Sequence, residues 1–256
     1  METYLSFVRS VFNEWLYDEE CQDAFYINKH IGKIYVDTCN PHFFTGNLSA
    51  ELVMVNLNPK RDSGYFFKKA KYSWEEYLDY YSYFGRHHYG EYASGKHKSK
   101  FDQKLIRFMK PLGILDIASA NKNRNLENVV DQKLQLELIP FGSPDFNYRL
   151  LPTEILKKYL DQILKLITSE KRKCVIFGGR VFCSLLTPYI SSETKHSFRL
   201  KKVDGQWTKN EYELIELTLS YESNTFRAYI APQFAQHGMP VEPYGEELAK
   251  LIRKPS

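Results

Sequence analysis

Four short apolar runs, each stopped by turn residues and set apart by helical patterns, constrain this chain more than any other feature. They are residues 51–56 (ELVMVN), 134–141 (LQLELIPF), 173–177 (KCVIF) and 226–231 (FRAYIA). Gly178-Gly179 stops the third and Pro232 the fourth. Short apolar runs bounded in this way fit buried strands. Between them, Phe101, Leu105, Phe108 and Met109 fall on one helical face that Pro111 ends. Thr153 is placed to cap a helix carrying Ile155, Leu156, Tyr159, Leu160, Ile163, Leu164 and Ile167. Pro243 is placed to open a last helix through Leu248, Leu251 and Ile252. Leu5, Val8, Phe12, Trp15 and Leu16 mark another helix near residue 1. Strand alternating with helix predicts an α/β fold of three layers, α-β-α, around a mostly parallel sheet of about four strands. Residues 211–220 are expected to form an antiparallel β-hairpin with the last run through Glu222-Ser223-Asn224. No repeat interrupts the pattern, so one domain is expected over residues 1–256, with an aromatic-rich insert at about 60–100.

With 256 residues of which 43% are hydrophobic, the chain can bury a sizeable core. Its net charge of +4 permits an anionic partner without demanding one. No apolar run approaches the ~20 residues of a membrane span, and the first residues lack a signal peptide's pattern. No membrane and a cytoplasmic location are therefore expected. Cys21, Cys39, Cys174 and Cys183 form no C-x-x-C pair. They are expected to be structural thiols, with no metal and no cofactor.

In an open α/β sheet, ligands bind beyond the carboxyl ends of the strands. The first run continues into VNLNPKRDSG, residues 55–64. The segment GNLSAELVMVNLNPK resembles the first motif of the uracil-DNA glycosylase superfamily, in which a strand ends in a turn of the form G-x-[D/N]-P. The closest likeness is to the mismatch-specific branch, whose motif reads G-I-N-P. Asn56 replaces the family glycine, and Asn58-Pro59 matches. The order of elements is similar from about Thr45 onward. The resemblance implies a monomeric DNA glycosylase that flips a base out of DNA and cleaves its N-glycosidic bond. Two branches of the superfamily carry an iron–sulfur cluster on four cysteines, and the cysteine spacing here does not match theirs.

The chemistry suits such a turn. Base excision passes through a sugar with oxocarbenium character, and a water must be held beneath the anomeric carbon. Asn58 can orient it through its side-chain carbonyl, and Asp62 in the same loop can supply a carboxylate. Asn58-Pro59 also suits a plain turn. Lys60 stands where the uracil-specific branch has an aromatic wall, which leaves the base's 5-position open. Glu137 stands near the family's base-reading position; an ionised carboxylate only accepts hydrogen bonds and suits an exocyclic amine. Its alternative is a rim carboxylate paired with a lysine. Gly178-Gly179 opens a helix and can present N–H groups to a phosphate.

The family's second motif, H-P-S or N-P-S, is absent. At its place stand Gln233, a candidate base contact, and Gln236, His237 and Met239. His237 is a candidate for stabilising the departing base; Gln236 and Met239 are candidates for contacting DNA. Residues 65–92 hold twelve aromatics. Either they build a subdomain core, or some line a base pocket, with Tyr65, Phe66 or Phe67 stacking on the flipped base. Arg86, Lys96, Lys98 and Lys100 follow and form the candidate phosphate grip.

The open 5-position, the amine-reading Glu137 and the aromatic wall together point to a modified or damaged base. A bulky 5-substituted cytosine of hypermodified phage DNA fits them, and with it a role in antiviral defence. Two other readings stay open: a catalytically inactive DNA-binding module of the same fold, and an α/β hydrolase acting on a nucleoside or other small molecule.

Overall fold

The computed structural model describes residues 1–18, 20–31, 41–60, 72–95, 99–144, 147–201, 206–233 and 240–253. Asp62, Tyr65, Phe66, Phe67, Lys96, Lys98, Gln236, His237 and Met239 lie outside the described residues.

The strands are β1 (Phe44–Gly46), β2 (Leu52–Asn56), β3 (Leu134–Glu137), β4 (Cys174–Gly178), β5 (Ile190–Lys201), β6 (Trp207–Tyr221) and β7 (Asn224–Ala231). They form one mixed sheet in the order β1-β3-β2-β4-β7-β6-β5. The expected sheet of about four mostly parallel strands is only its centre, where β3, β2, β4 and β7 pair in parallel. Three further strands add antiparallel pairs at the flanks. Two of these left no apolar signature. β1 is only three residues long. β5 reads ISSETKHSFRLK and lies at the sheet edge, where neither face demands an apolar run. The expected hairpin is present: Tyr221 pairs with Asn224, and Glu222 takes a φ of 50° to make the turn.

The helices are α1 (Glu2–Asp18), α2 (Gln22–Ile31), α3 (Trp74–Ser82), α4 (Phe84–Tyr89), α5 (Lys100–Met109), α6 (Lys122–Asp131), α7 (Thr153–Thr168), α8 (Val181–Leu185) and α9 (Val241–Arg253). Successive strand residues face opposite sides of the sheet. Val53, Val55, Leu134, Leu136, Val175, Phe177 and Ile230 pack with buried residues of α1, α2 and α7. Leu52, Met54, Cys174, Ile176 and Tyr229 pack with those of α5, α6 and α9. The sheet is therefore covered on both faces, which is why its central runs are continuously apolar. Thr153 does not cap α7: it is the first helical residue, and Pro152 stands at the cap position. The Pro152 carbonyl accepts from the Ile155 N–H at 3.1 Å.

Two helices of the aromatic insert join this core. The Ser73 hydroxyl accepts from the Glu76 N–H, and the Ser73 N–H donates to the Glu76 carboxylate, so α3 starts at a closed capping box. Tyr77 and Tyr81 are buried among residues of α1, α2 and β1. The Tyr77 hydroxyl donates to the Pro41 carbonyl at 2.7 Å. Tyr89 joins the opposite cluster. Most of the described insert aromatics thus serve core packing; Tyr83 and Tyr92 are exposed. Cys21 and Cys174 are buried, Cys183 is half-buried, and none of the three is in a disulfide. Among the described residues no helix is long and apolar enough to cross a membrane.

Candidate active site at the carboxyl edge of the sheet

The parallel strands β2 and β3 end level, with Asn56 opposite Glu137. Beyond that point the two chains stay joined. The Leu138 N–H donates to the Asn56 carbonyl, the Ile139 N–H to Leu57 and the Ser143 N–H to Pro59, at 2.9, 2.9 and 3.1 Å. Lys60 continues the pairing as a parallel bridge to Ser143. The turn after β2 and the loop after β3 are therefore one hydrogen-bonded unit.

Asn58 sits inside that unit, half-buried. Its Nδ2 donates to the Ser143 hydroxyl at 2.7 Å, the Pro59 carbonyl at 3.2 Å and the Phe141 carbonyl at 3.3 Å. An amide nitrogen carries two hydrogens and accepts nothing. All three neighbours offer oxygen, so the amide is held with its nitrogen towards them. No described residue donates to Oδ1. Two of the three acceptors are backbone carbonyls, contacts that an asparagine in a plain turn also makes.

Glu137, the last residue of β3, is 4% exposed. It is no rim carboxylate. Its Oε1 accepts from Gln135 Nε2 at 2.9 Å and from Asn56 Nδ2 at 3.4 Å. Gln135 Oε1 in turn accepts from the Lys133 ammonium at 3.1 Å. Lys133 is fully buried, and burial lowers its pKa to about 8 against the pull of Asp102, Asp131 and Glu137. Lys133, Gln135 and Glu137 alternate along the chain and so share one face of the sheet, the face of Met54 and Ile176.

The neighbouring strand ends complete the edge. A side chain at Gly178 would bring Cβ within 3.1 Å of Asn56 Oδ1 and 3.4 Å of the Val55 carbonyl. Glycine there leaves room for the Asn56 amide. Gly179 has a φ of 129°, and its Cα side faces Gln233, whose Cγ would lie 3.3 Å from a Cβ. The Gly179 N–H donates to the Ala231 carbonyl at 2.8 Å, and α8 is only five residues long. The glycine pair therefore allows close packing against Asn56 and Gln233. Asn56, Asn58, Lys60, Glu137 and Gln233 all lie at the ends of the parallel strands, in the strand order of the sheet.

Of the candidate phosphate grip, Arg86 and Lys100 are described. The Arg86 guanidinium lies 4.2 Å from the Tyr83 ring centroid, and both residues are exposed. Lys100 is the exposed first residue of α5. A cavity of about 670 Å³ lies between the α4–α5 connection and the start of α6. His88, Glu91, Ser99, Lys122 and Arg124 help to line it, while Asn56, Asn58, Glu137 and Gln233 do not.

Sequence reasoning missed three residues of this site. Ser143 lies in the stretch after the second run, but nothing in the order of residues says that its hydroxyl meets Asn58. Gln135 and Lys133 alternate with leucines, a pattern that ordinarily puts polar residues in water. Among the described residues no three His, Cys, Asp or Glu side chains come together as a metal ion would require. Comparison with models of known protein families gives no match for this chain, and comparison with curated proteins gives none either.

Proposed function

We propose that the protein is a DNA glycosylase that hydrolyses the N-glycosidic bond of a modified or damaged base. The observation that carries this reading is the fixed amide of Asn58 at the carboxyl end of a parallel strand. A water that donates to Oδ1 would be held with its lone pair towards the anomeric carbon. Its oxygen bonds to that carbon as the carbon–nitrogen bond breaks, the bonding pair leaves with the base, and the proton that the water gives up passes through solvent to the base. The products are a free base and an abasic sugar. Positioning of this kind lowers the barrier without requiring the amide to take up a proton.

Further support comes from the surroundings. Glu137, Asn56 and Gln233 are polar groups at the same edge, as a base-reading pocket requires. Lys60 is exposed and bridges to Ser143 through its backbone, which leaves no aromatic wall at that position. That favours a base with a bulky 5-substituent, as in hypermodified phage DNA, and a role in antiviral defence. Arg86 and Lys100, together with Lys96 and Lys98 of the same basic stretch, would grip the DNA backbone. A monomer in the cytoplasm would suffice for this work.

The test is incubation with duplex and single-stranded DNAs carrying a panel of modified bases, followed by mass analysis of released bases and detection of abasic sites. Release by the wild type is expected, with a loss of several orders of magnitude in Asn58→Ala. A folded Asn58→Ala protein that releases base at the wild-type rate would remove Asn58 from the mechanism. DNA binding without release from any member of the panel would favour the inactive binding module.

A further inference from the structure

We infer that Lys133 and Gln135 are positioning residues that hold Glu137 as an acceptor-only carboxylate, so that the site recognises a base through an exocyclic amine. This rests on the base-excision reading above and names the class of base edge that the site takes.

The chemistry of the line fixes its direction. An ammonium group has three donors and no acceptor, so the atom of Gln135 that meets Lys133 at 3.1 Å must be its oxygen. The Gln135 nitrogen is thereby turned towards Glu137, and it donates to Oε1 at 2.9 Å. Asn56 Nδ2 adds a second donor to the same oxygen at 3.4 Å. Its amide keeps this orientation beside Gly178, where a Cβ would crowd Oδ1 at 3.1 Å. Donors on a carboxylate favour its charged form. Both contacts reach Oε1, which therefore accepts from the line and does not donate to it.

The charges around the line are these. Lys133 is buried among Asp102 of α5, Asp131 of α6 and Glu137. Asp102 accepts from the Tyr89 hydroxyl at 2.5 Å. Asp131 accepts from the Gly85 and Arg86 N–H groups at 2.6 and 2.8 Å, and burial raises its pKa. From the other side, the Glu137 charge adds to burial in raising the Tyr4 phenol of α1. Burying a lysine costs free energy unless it is paired. A leucine would fill the sheet face with less penalty, whereas only a donor-only group sets the Gln135 amide.

The consequence is selectivity. An ionised Glu137 attracts the amino group of a cytosine-type or adenine-type edge and repels a carbonyl oxygen at the same place. Without the Lys133 ammonium, or without the Gln135 amide, Glu137 binds a proton more readily and can donate to a carbonyl oxygen instead.

The experiment is a carboxyl NMR titration with ¹³C-labelled glutamate on the wild type, Lys133→Met and Gln135→Leu, with Glu137→Gln identifying the resonance. It is paired with base release from matched duplexes that differ only in an amino or oxo group at the target base. Glu137 is expected to be ionised at pH 7 in the wild type. Its midpoint is expected to rise by roughly one unit or more in both variants, because a charge or a donor has been removed. The preference for amino-bearing over oxo-bearing bases should fall about tenfold with it. An unchanged midpoint in folded Gln135→Leu overturns the inference. If neither variant folds, the wild type still decides, because a Glu137 protonated at pH 7 overturns it as well. The two readings fail separately. A midpoint that moves in a protein that releases no base rejects base excision and leaves the carboxylate line standing. Base release with an unmoved midpoint rejects the line alone.

Discussion

Asn58 is held as a donor, and that separates it from an aspartate at the same place. Its Nδ2 faces the Pro59 and Phe141 carbonyls and the Ser143 hydroxyl. An aspartate would set a charged oxygen against two carbonyl oxygens. Asn58→Asp is therefore expected to lower stability by about 1–3 kcal/mol, the cost of leaving such groups unpaired. It should also fail to raise base release, although a carboxylate is the better base. Urea denaturation and single-turnover release check the two halves, and a stable, faster Asn58→Asp enzyme would contradict this account of the turn. Ser143→Ala probes the same unit from the other side. It removes the 2.7 Å hydrogen bond and leaves two weaker acceptors, so release should fall while the fold persists. In the sequence, the likeness of Asn58-Pro59 to a known turn was legible. The partner that fixes the amide was not, because Ser143 lies 85 residues away.

Among the elements, the β6–β7 hairpin carries a cost that a substitution can remove. Glu222 takes a φ of 50°, in the left-handed region where a Cβ is disfavoured. Glu222→Gly should raise stability by about 0.5–1 kcal/mol, the strain relieved less the extra chain entropy of glycine. Thermal unfolding measures it, and a lower Tm would show that the Glu222 side chain contributes more than the turn conformation costs. The basic stretch from Arg86 to Lys100 makes a different kind of prediction. Neutralising Lys96, Lys98 and Lys100 together should weaken DNA binding and flatten its salt dependence, by up to ~0.9 in slope for each phosphate that is no longer neutralised. The identity of the released base should not change, since phosphate contacts carry no sequence information directly. Unaltered affinity at low salt would place the DNA track elsewhere, the His88–Lys122–Arg124 cavity being the next surface to test.

At the scale of the whole molecule, both faces of the sheet are covered, and a lysine is trapped beneath one of them. Burial lowers Lys133 from 10.5 to about 8. Above 10.5 the group is neutral whether the chain is folded or not; below about 8 it is charged in both states, and folding must bury the charge. Between those values the unfolded chain binds the proton more tightly, so this group makes stability rise with pH and lose that gain as pH falls through about 8. The stability of the wild type relative to Lys133→Met should therefore climb across that window. A flat difference would show that Lys133 titrates alike in both states. The sequence by itself determined the four parallel strands, the helices on one strong apolar face and the hairpin, because continuous apolar runs and regular spacings record burial directly. It could not determine the short β1 or the polar edge strand β5, whose stability comes from pairing with strands distant in the chain. Nor could it say which way the alternating face of Lys133, Gln135 and Glu137 points. Alternation ordinarily assigns the polar face to water; only the packing of helices over the sheet turned that face inward and made a directed line of it.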